Sequence, residues 1–79
     1  MRIEDLPPET IVFDSPSYET ALIGISHDGR AIYDYDKMVA FLIYEDSMTE
    51  EEAIDFIEYN TIGSLGQQEG YPIVAYLNG

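Results

Sequence analysis

One histidine, His27, is the side chain in this chain most suited to acid–base chemistry near neutral pH. Asp28, Asp34 and Asp36 lie near it in the sequence, and a carboxylate beside an imidazole is typical of catalytic triads and metal sites. No activated nucleophile accompanies it in a recognisable motif, and it stands next to an Asp-Gly pair that predicts a turn. We therefore interpret His27 as an exposed turn residue and expect no enzyme activity.

The carboxylates form no recognisable metal-binding motif. Asp34 and Asp36 have the spacing of the first two ligands of a calcium loop, but the further acids, central glycine and final glutamate of an EF-hand are missing. Gly63, Gly66 and Gly70 do not fit a phosphate-binding fingerprint. The absence of cysteine excludes thiolate ligands and disulfides. We expect no metal and no cofactor.

Acidity is the strongest chemical signal in the sequence. Sixteen acidic residues oppose three basic ones, which gives a net charge of -13. Such a charge repels nucleic acid and anionic membranes, whereas it attracts a basic surface and speeds the encounter with it. The alternative is that the charge only keeps the protein soluble. The partners that we expect are therefore a basic protein surface, with no direct contact to nucleic acid or membrane.

Composition indicates a folded domain. Hydrophobic residues make up 46% of the chain and aromatic residues 13%, whereas acidic disordered chains contain few of either. The length predicts a single domain over residues 1–79, with residues 1–9 as an extended N-terminal arm. We expect a cytoplasmic protein, since cysteines are missing, no stretch approaches the length of a membrane span and the N-terminus lacks the apolar run of a signal peptide.

The first half of the chain predicts strands. Residues 10–13 and 18–26 are β-rich runs, and Asp28-Gly29 between apolar runs predicts a two-residue hairpin turn. That turn places Ile25 opposite Ile32 and Ile23 opposite Asp34. Four residues would then share the core face: Ala21, Ile23, Ile25 and Ile32.

Two helices are predicted next. Residues 38–44 are uninterrupted apolar residues, which fit either a strand or a buried helix. The preceding acids, as N-cap candidates, favour a helix. Thr49 and Glu52 have the spacing of a capping box at the start of a second helix over about 50–60. The expected core stripes of the two helices are Met38, Val39, Leu42 and Ile43, and then Ala53, Ile54 and Ile57.

A last strand over residues 71–77 completes the prediction, with Pro72 at its start or on an edge. The expected fold is α+β: a small, mainly antiparallel sheet in the order β-β-β-α-α-β, with two helices packed on one face.

Residues 28–61 contain DG, YDYDKM, EDSMTEEEA and YNT. This stretch resembles a group of short acidic proteins from bacteria and their mobile elements that share DG…YxYxKM…EDxMTxEEA…YNT. The resemblance implies an accessory protein of a mobile element or phage, acting in the cytoplasm of a bacterial host. It carries over no functional residue.

The predicted second helix carries an unfavourable arrangement of like charges. Glu51, Asp55 and Glu58 lie at i, i+4 and i+7 with no base in the helix, although like charges at that spacing are destabilising. A solvated face is the ordinary interpretation. A function in binding a basic partner would explain why the stripe is retained.

Two functions follow from these patterns. The first is a non-enzymatic protein-binding module, an inhibitor of anti-CRISPR or anti-restriction type that mimics nucleic acid. The alternative is a homodimer or larger homo-oligomer formed through the apolar first helix, as in an adaptor or antitoxin-like protein. The residues expected to bind the partner are Glu51, Asp55, Glu58, Phe41, Tyr44, Asp34, Asp36, Glu45 and Asp46.

Overall fold

The computed structural model describes residues 1–62 and 70–77. Two 3-10 turns, Ile3–Asp5 and Glu19–Ala21, precede the sheet and helices. The regular elements are β1 (Leu22–Ile25), β2 (Ala31–Asp34), α1 (Tyr35–Glu45), α2 (Glu50–Phe56) and β3 (Ile73–Ala75). α2 continues without a break as a π-helical segment, Ile57–Ile62. The α+β class is confirmed.

The sheet is mixed, in the order β1-β2-β3. β1 and β2 are antiparallel, whereas β2 and β3 are parallel, because both helices lie in the crossover between them. The strand expected over residues 10–13 does not form. Phe13 instead packs its ring on Tyr33 at 4.7 Å between centroids, and its N–H donates to the Tyr33 hydroxyl at 3.2 Å. The observed order is therefore β-β-α-α-β.

The hairpin differs from the predicted two-residue turn. Its loop has three residues, 27–29, because Ser26 and Arg30 form the closing pair: Ser26 N–H donates to the Arg30 carbonyl at 2.8 Å. Ile25 consequently lies opposite Ala31 rather than Ile32. A shift of one residue exchanges the faces of a strand, so the predicted core face was wrong within the strands, where Ile23 and Ile32 are only half-buried. Leu22, Ala31 and Tyr33 are buried instead, and Ile25 is exposed. Ala21, which precedes β1, is buried as predicted.

Both helices bury members of the expected stripes in the same core cluster as Leu22, Ala31 and Tyr33. Met38 and Leu42 of α1 and Ala53 and Ile57 of the second helix are fully buried, and the remaining members of each stripe are half-buried. Full burial of a side chain of the size of Leu42 contributes about 1.5–3 kcal/mol.

The N-terminal residues do not form an extended arm throughout. Ile3–Asp5 form a 3-10 turn, and Leu6 is buried in the same core cluster as the helices.

The start of α2 is fixed by the predicted capping box. The Thr49 hydroxyl accepts from Glu52 N–H at 3.1 Å, and Thr49 N–H donates to Glu52 Oε1 at 2.9 Å. Two amide donors that have no helical partner are thereby satisfied. A cap of this kind stabilises by about 0.5–2 kcal/mol.

Candidate partner-binding surface

The helical part of the chain carries a dense acidic surface. Between Tyr35 and Ile62 the sequence has eight acids and one base, Lys37, and all eight acidic residues are exposed. They are Asp36, Glu45, Asp46, Glu50, Glu51, Glu52, Asp55 and Glu58. We call this set the helical acid surface. Glu50, Glu51 and Glu52 lie in the first turn of α2, where the helix dipole favours negative charge.

The predicted stripe Glu51, Asp55 and Glu58 lies on the exposed side of the second helix. None of these three forms an ion pair with a described residue. Two of the chain's bases have other contacts: Arg2 pairs with Glu4 at 3.8 Å, and Arg30 Nε donates to the Tyr71 carbonyl at 2.6 Å. The charge of the stripe is therefore uncompensated within the part of the chain that the structure describes.

Two of the residues expected on this surface lie elsewhere. Asp34 is 5% exposed, at the position before α1, and it does not cap the helix through its side chain. Phe41 is half-buried, with its ring 5.7 Å from that of Tyr18, and it packs against the core. Burial removes the Asp34 carboxylate from the accessible surface, whereas Phe41 keeps part of its ring exposed.

Among the described residues three tyrosines are exposed, and two of them, Tyr44 and Tyr59, lie in the helical part of the chain, whereas Tyr76 follows β3. Tyr44, which we predicted as an anchor, is 84% exposed at the end of α1, and Tyr59 is 80% exposed in the π-helical segment. Tyr59 was not among the residues predicted from the sequence. Its helical spacing from Asp55, four residues earlier, is the signal that would have placed both on one face. Glu45 and Asp46 line a shallow depression together with Phe41 and Phe56.

An open groove runs along α2. Its volume is about 450 Å³. Its lining residues are Met48, Glu52, Asp55, Phe56, Tyr59 and Asn60. Met48 and Phe56 are half-buried and pack against the core, whereas the other four are exposed. The half-buried pair therefore forms an apolar floor, and the exposed residues form a polar rim. We call this the α2 groove.

His27 is exposed in the hairpin loop. Its neighbour Asp28 accepts a hydrogen bond from the Ser26 hydroxyl, which lowers the pKa of the Asp28 carboxyl. The same Ser26 oxygen accepts from Arg30 N–H at 2.9 Å. These contacts close the loop. Across residues 1–62 and 70–77, no group of three or more histidine or acidic side chains is arranged to hold a metal ion.

The polar groups buried among the described residues belong to Tyr18, Tyr33, Asp34 and Thr61. The Tyr18 hydroxyl hydrogen-bonds the Thr61 hydroxyl at 2.7 Å, and burial raises the pKa of Tyr18. Burial likewise raises the pKa of Tyr33. Asp34 Oδ1 is buried and has no hydrogen-bond partner among residues 1–62 and 70–77. The hydrogen bonds of the two tyrosine hydroxyls hold the fold from within.

The comparisons with known proteins add no relative. No family profile matches the chain, and neither a curated protein nor a solved structure matches it. No helix in the described parts of the chain has the length and apolar character needed to cross a membrane.

Proposed function

We propose that this protein is a non-enzymatic acidic module that binds a basic surface of another protein. The observation that carries the proposal is the helical acid surface: eight acids, all exposed, with one base among them. A field of one sign steers a partner of the opposite sign and gives specificity through charge complementarity. Exposed Tyr44 and Tyr59 add the aromatic side chains that are enriched at protein interfaces.

The partner class that fits best is a nucleic-acid-binding protein, in the cytoplasm of a bacterial host. Such proteins carry Lys and Arg in grooves that neutralise phosphates. Rows of carboxylates can occupy those grooves in place of phosphates. The resemblance of residues 28–61 to proteins of bacterial mobile elements favours an inhibitor of anti-CRISPR or anti-restriction type.

A charge-reversed variant tests the proposal. Asp55→Lys/Glu58→Lys changes the net charge from -13 to -9, because each substitution adds two units. Glu4→Lys/Glu9→Lys makes the same change of net charge in the N-terminal segment and serves as the matched control. Stability should stay equal or rise by about 0.2–0.5 kcal/mol in the first variant, since a lysine then stands four residues after Glu51.

The binding measurement starts with capture from a bacterial lysate at low and high salt, followed by purification of the captured proteins. We expect to capture basic nucleic-acid-binding proteins at low salt. The purified proteins should release labelled duplex DNA when this protein is added. They should bind Asp55→Lys/Glu58→Lys roughly tenfold more weakly than the parent. The N-terminal variant should bind nearly as well as the parent. Equal binding by both variants, or no competition with DNA, would contradict the proposal.

Self-association is a second candidate function. A groove between α1 and α2 is lined mainly by apolar or aromatic side chains, among them Tyr35, Val39, Ile43 and Ile54. A homodimer through this groove would bury those side chains, and it would persist at high salt because apolar contacts are not screened. Sedimentation at 0.02 and 0.5 M NaCl distinguishes the two functions: a dimer at both concentrations favours self-association, and a monomer at both removes it.

A further inference from the structure

The α2 groove combines features that suit one particular side chain. Glu52, Asp55, Phe56 and Tyr59 lie at i, i+3, i+4 and i+7 along one continuous helix, so they share a face. Together they offer carboxylates, an apolar floor and an exposed phenol ring along that face. The groove is thus more than a cluster of acids.

Its two carboxylates differ in how they are held. Glu52 Oε1 accepts from Thr49 N–H, so the capping box fixes the orientation of that side chain. Asp55 has no hydrogen bond or ion pair with a described residue. A cation entering the groove therefore meets one preoriented carboxylate and one carboxylate that is available for direct pairing.

We propose that the α2 groove binds an arginine side chain of the partner, with the guanidinium between Asp55 and Tyr59 and the aliphatic stem over Met48 and Phe56. This proposal rests on the proposed function and names the group that is recognised. Guanidinium is planar, stacks on aromatic rings and pairs with carboxylates through two parallel hydrogen bonds. Lysine fits less well, because its ammonium is more strongly hydrated and does not stack as a plane.

Charge complementarity selects the partner over a second copy of this chain. The chain has only two arginines, and each is engaged: Arg2 with Glu4, and Arg30 with the Tyr71 carbonyl. The helical acid surfaces of two copies would also repel one another. The arginine therefore comes from a different, basic protein.

The test titrates the isotope-labelled protein with a capped Gly-Arg-Gly peptide and follows backbone amide shifts by NMR. The expected result is a saturable shift at Glu52, Asp55, Phe56 and Tyr59. A Gly-citrulline-Gly peptide, which has the same shape without charge, should give no saturable shift. A Gly-Lys-Gly peptide should bind about threefold more weakly than the arginine peptide, as expected when ring stacking is lost.

Matched variants locate the contact. Tyr59→Leu and Asp55→Asn should each weaken binding of the arginine peptide about threefold. Tyr76→Leu and Glu19→Gln remove an exposed tyrosine and an exposed carboxylate outside both the α2 groove and the helical acid surface, and they should leave binding unchanged. Amide spectra that retain their dispersion verify that each variant is folded.

Shifts spread over the whole acid surface would overturn the arginine site, and so would equal loss in the groove variants and their controls. These results leave the proposed function intact if Asp55→Lys/Glu58→Lys still weakens binding of the basic partner. The opposite outcome is also possible to recognise. If the α2 groove binds the arginine peptide, but the captured proteins bind Asp55→Lys/Glu58→Lys as well as the parent, the proposed function is refuted and the arginine site is retained.

Dimerisation at NMR concentration is a separate outcome. If the same groove residues shift with protein concentration in the absence of peptide, the groove binds a second copy of this chain.

Discussion

Tyr18 and Tyr33 place phenol hydroxyls inside the core, and each hydroxyl has a partner. Tyr18 bonds Thr61, which ties the segment before β1 to the end of the second helix. Tyr33 accepts from Phe13 N–H, which ties β2 to the chain before the sheet. Their rings pack with Phe13 between them, at 5.5 and 4.7 Å. These two residues therefore join parts of the chain that the short strands alone do not hold together.

Both tyrosines make stability depend on alkaline pH. Burial raises the pKa of Tyr18 and of Tyr33 above the ordinary value of 10.0, although a hydrogen bond to each lowers it in part. The folded state keeps these protons after the unfolded chain has lost them. Stability is therefore fully present below about pH 10 and falls as the pH rises above it.

We expect the urea midpoint to fall between pH 9 and pH 11, and to fall less steeply in Tyr18→Phe and in Tyr33→Phe. Tyr44→Phe is the control, because its side chain is 84% exposed and should leave the slope unchanged. Equal slopes in all four proteins would show that the buried hydroxyls are not the cause.

Single residues also show what a sequence can reveal. The capping box of Thr49 and Glu52 was predicted correctly, since both partners lie within four residues and the bonds are local. Asp34 was predicted as an exposed binding residue but is buried. Its environment is set by β3, with Ala75 as its partner across the sheet, more than forty residues later. The sequence pattern around Asp34 gives no information about a pairing with a strand so distant in the chain, so the burial of Asp34 could not be predicted.

At the scale of elements, the hairpin depends on the backbone of Gly29. Its φ of +86° lies in the left-handed region, which a glycine reaches without steric cost. Asp-Gly fits both a two-residue turn and a three-residue loop with glycine in the last position. Ser26, whose N–H and side chain both bond Arg30, favours the longer loop. The hairpin was predicted correctly from the sequence. The Asp-Gly dipeptide alone does not determine the loop length, because that length depends on the contacts between Ser26 and Arg30.

Two glycine substitutions test that argument. Gly29→Ala should cost about 1–2 kcal/mol, because an added Cβ is unfavourable in the left-handed region. Gly24→Ala adds the same methyl group in β1, where φ is not positive and the new Cβ would meet nothing within 4 Å. It should be neutral or stabilise by about 0.4–1 kcal/mol, because the unfolded chain loses freedom. Urea unfolding measures both, and similar losses in the two variants would contradict the role of Gly29.

The helices were predicted more accurately than the strands. Their core stripes recur within one element, so Met38, Leu42, Ala53 and Ile57 could be read from the spacing alone. The strands are only three or four residues long, and their register depends on the loop and on the bulge between Leu22 and Gly24. For the same reason the exposed acids of α2 were predicted well, whereas Phe41 could not be assigned to the core without the position of Tyr18.

At the scale of the whole molecule, two electrostatic effects oppose each other. Acids in the first turn of α2 interact favourably with the helix dipole, typically by about 0.3–1 kcal/mol each. Repulsion acts among all sixteen acids, against three bases. The favourable effect is confined to one helix end, whereas the repulsion extends over the surface, so we expect repulsion to dominate. The acid surface then lowers stability in the free protein, and under the proposed function it favours the complex with a basic partner.

Salt should therefore change stability and binding in opposite directions. The screening length falls from about 30 Å at 0.01 M to about 3 Å at 1 M salt. We expect the urea midpoint to rise between 0.02 and 0.5 M NaCl, while affinity for the basic partner falls. Asp55→Lys/Glu58→Lys and Glu4→Lys/Glu9→Lys share a net charge of -9, so both should show a weaker rise than the parent at -13. Only the helix variant should also show reduced binding at low salt. A urea midpoint that falls with salt would mean that local favourable contacts outweigh the repulsion. The acid surface would then stabilise the free protein, and binding to a partner would not be needed to explain why it is retained.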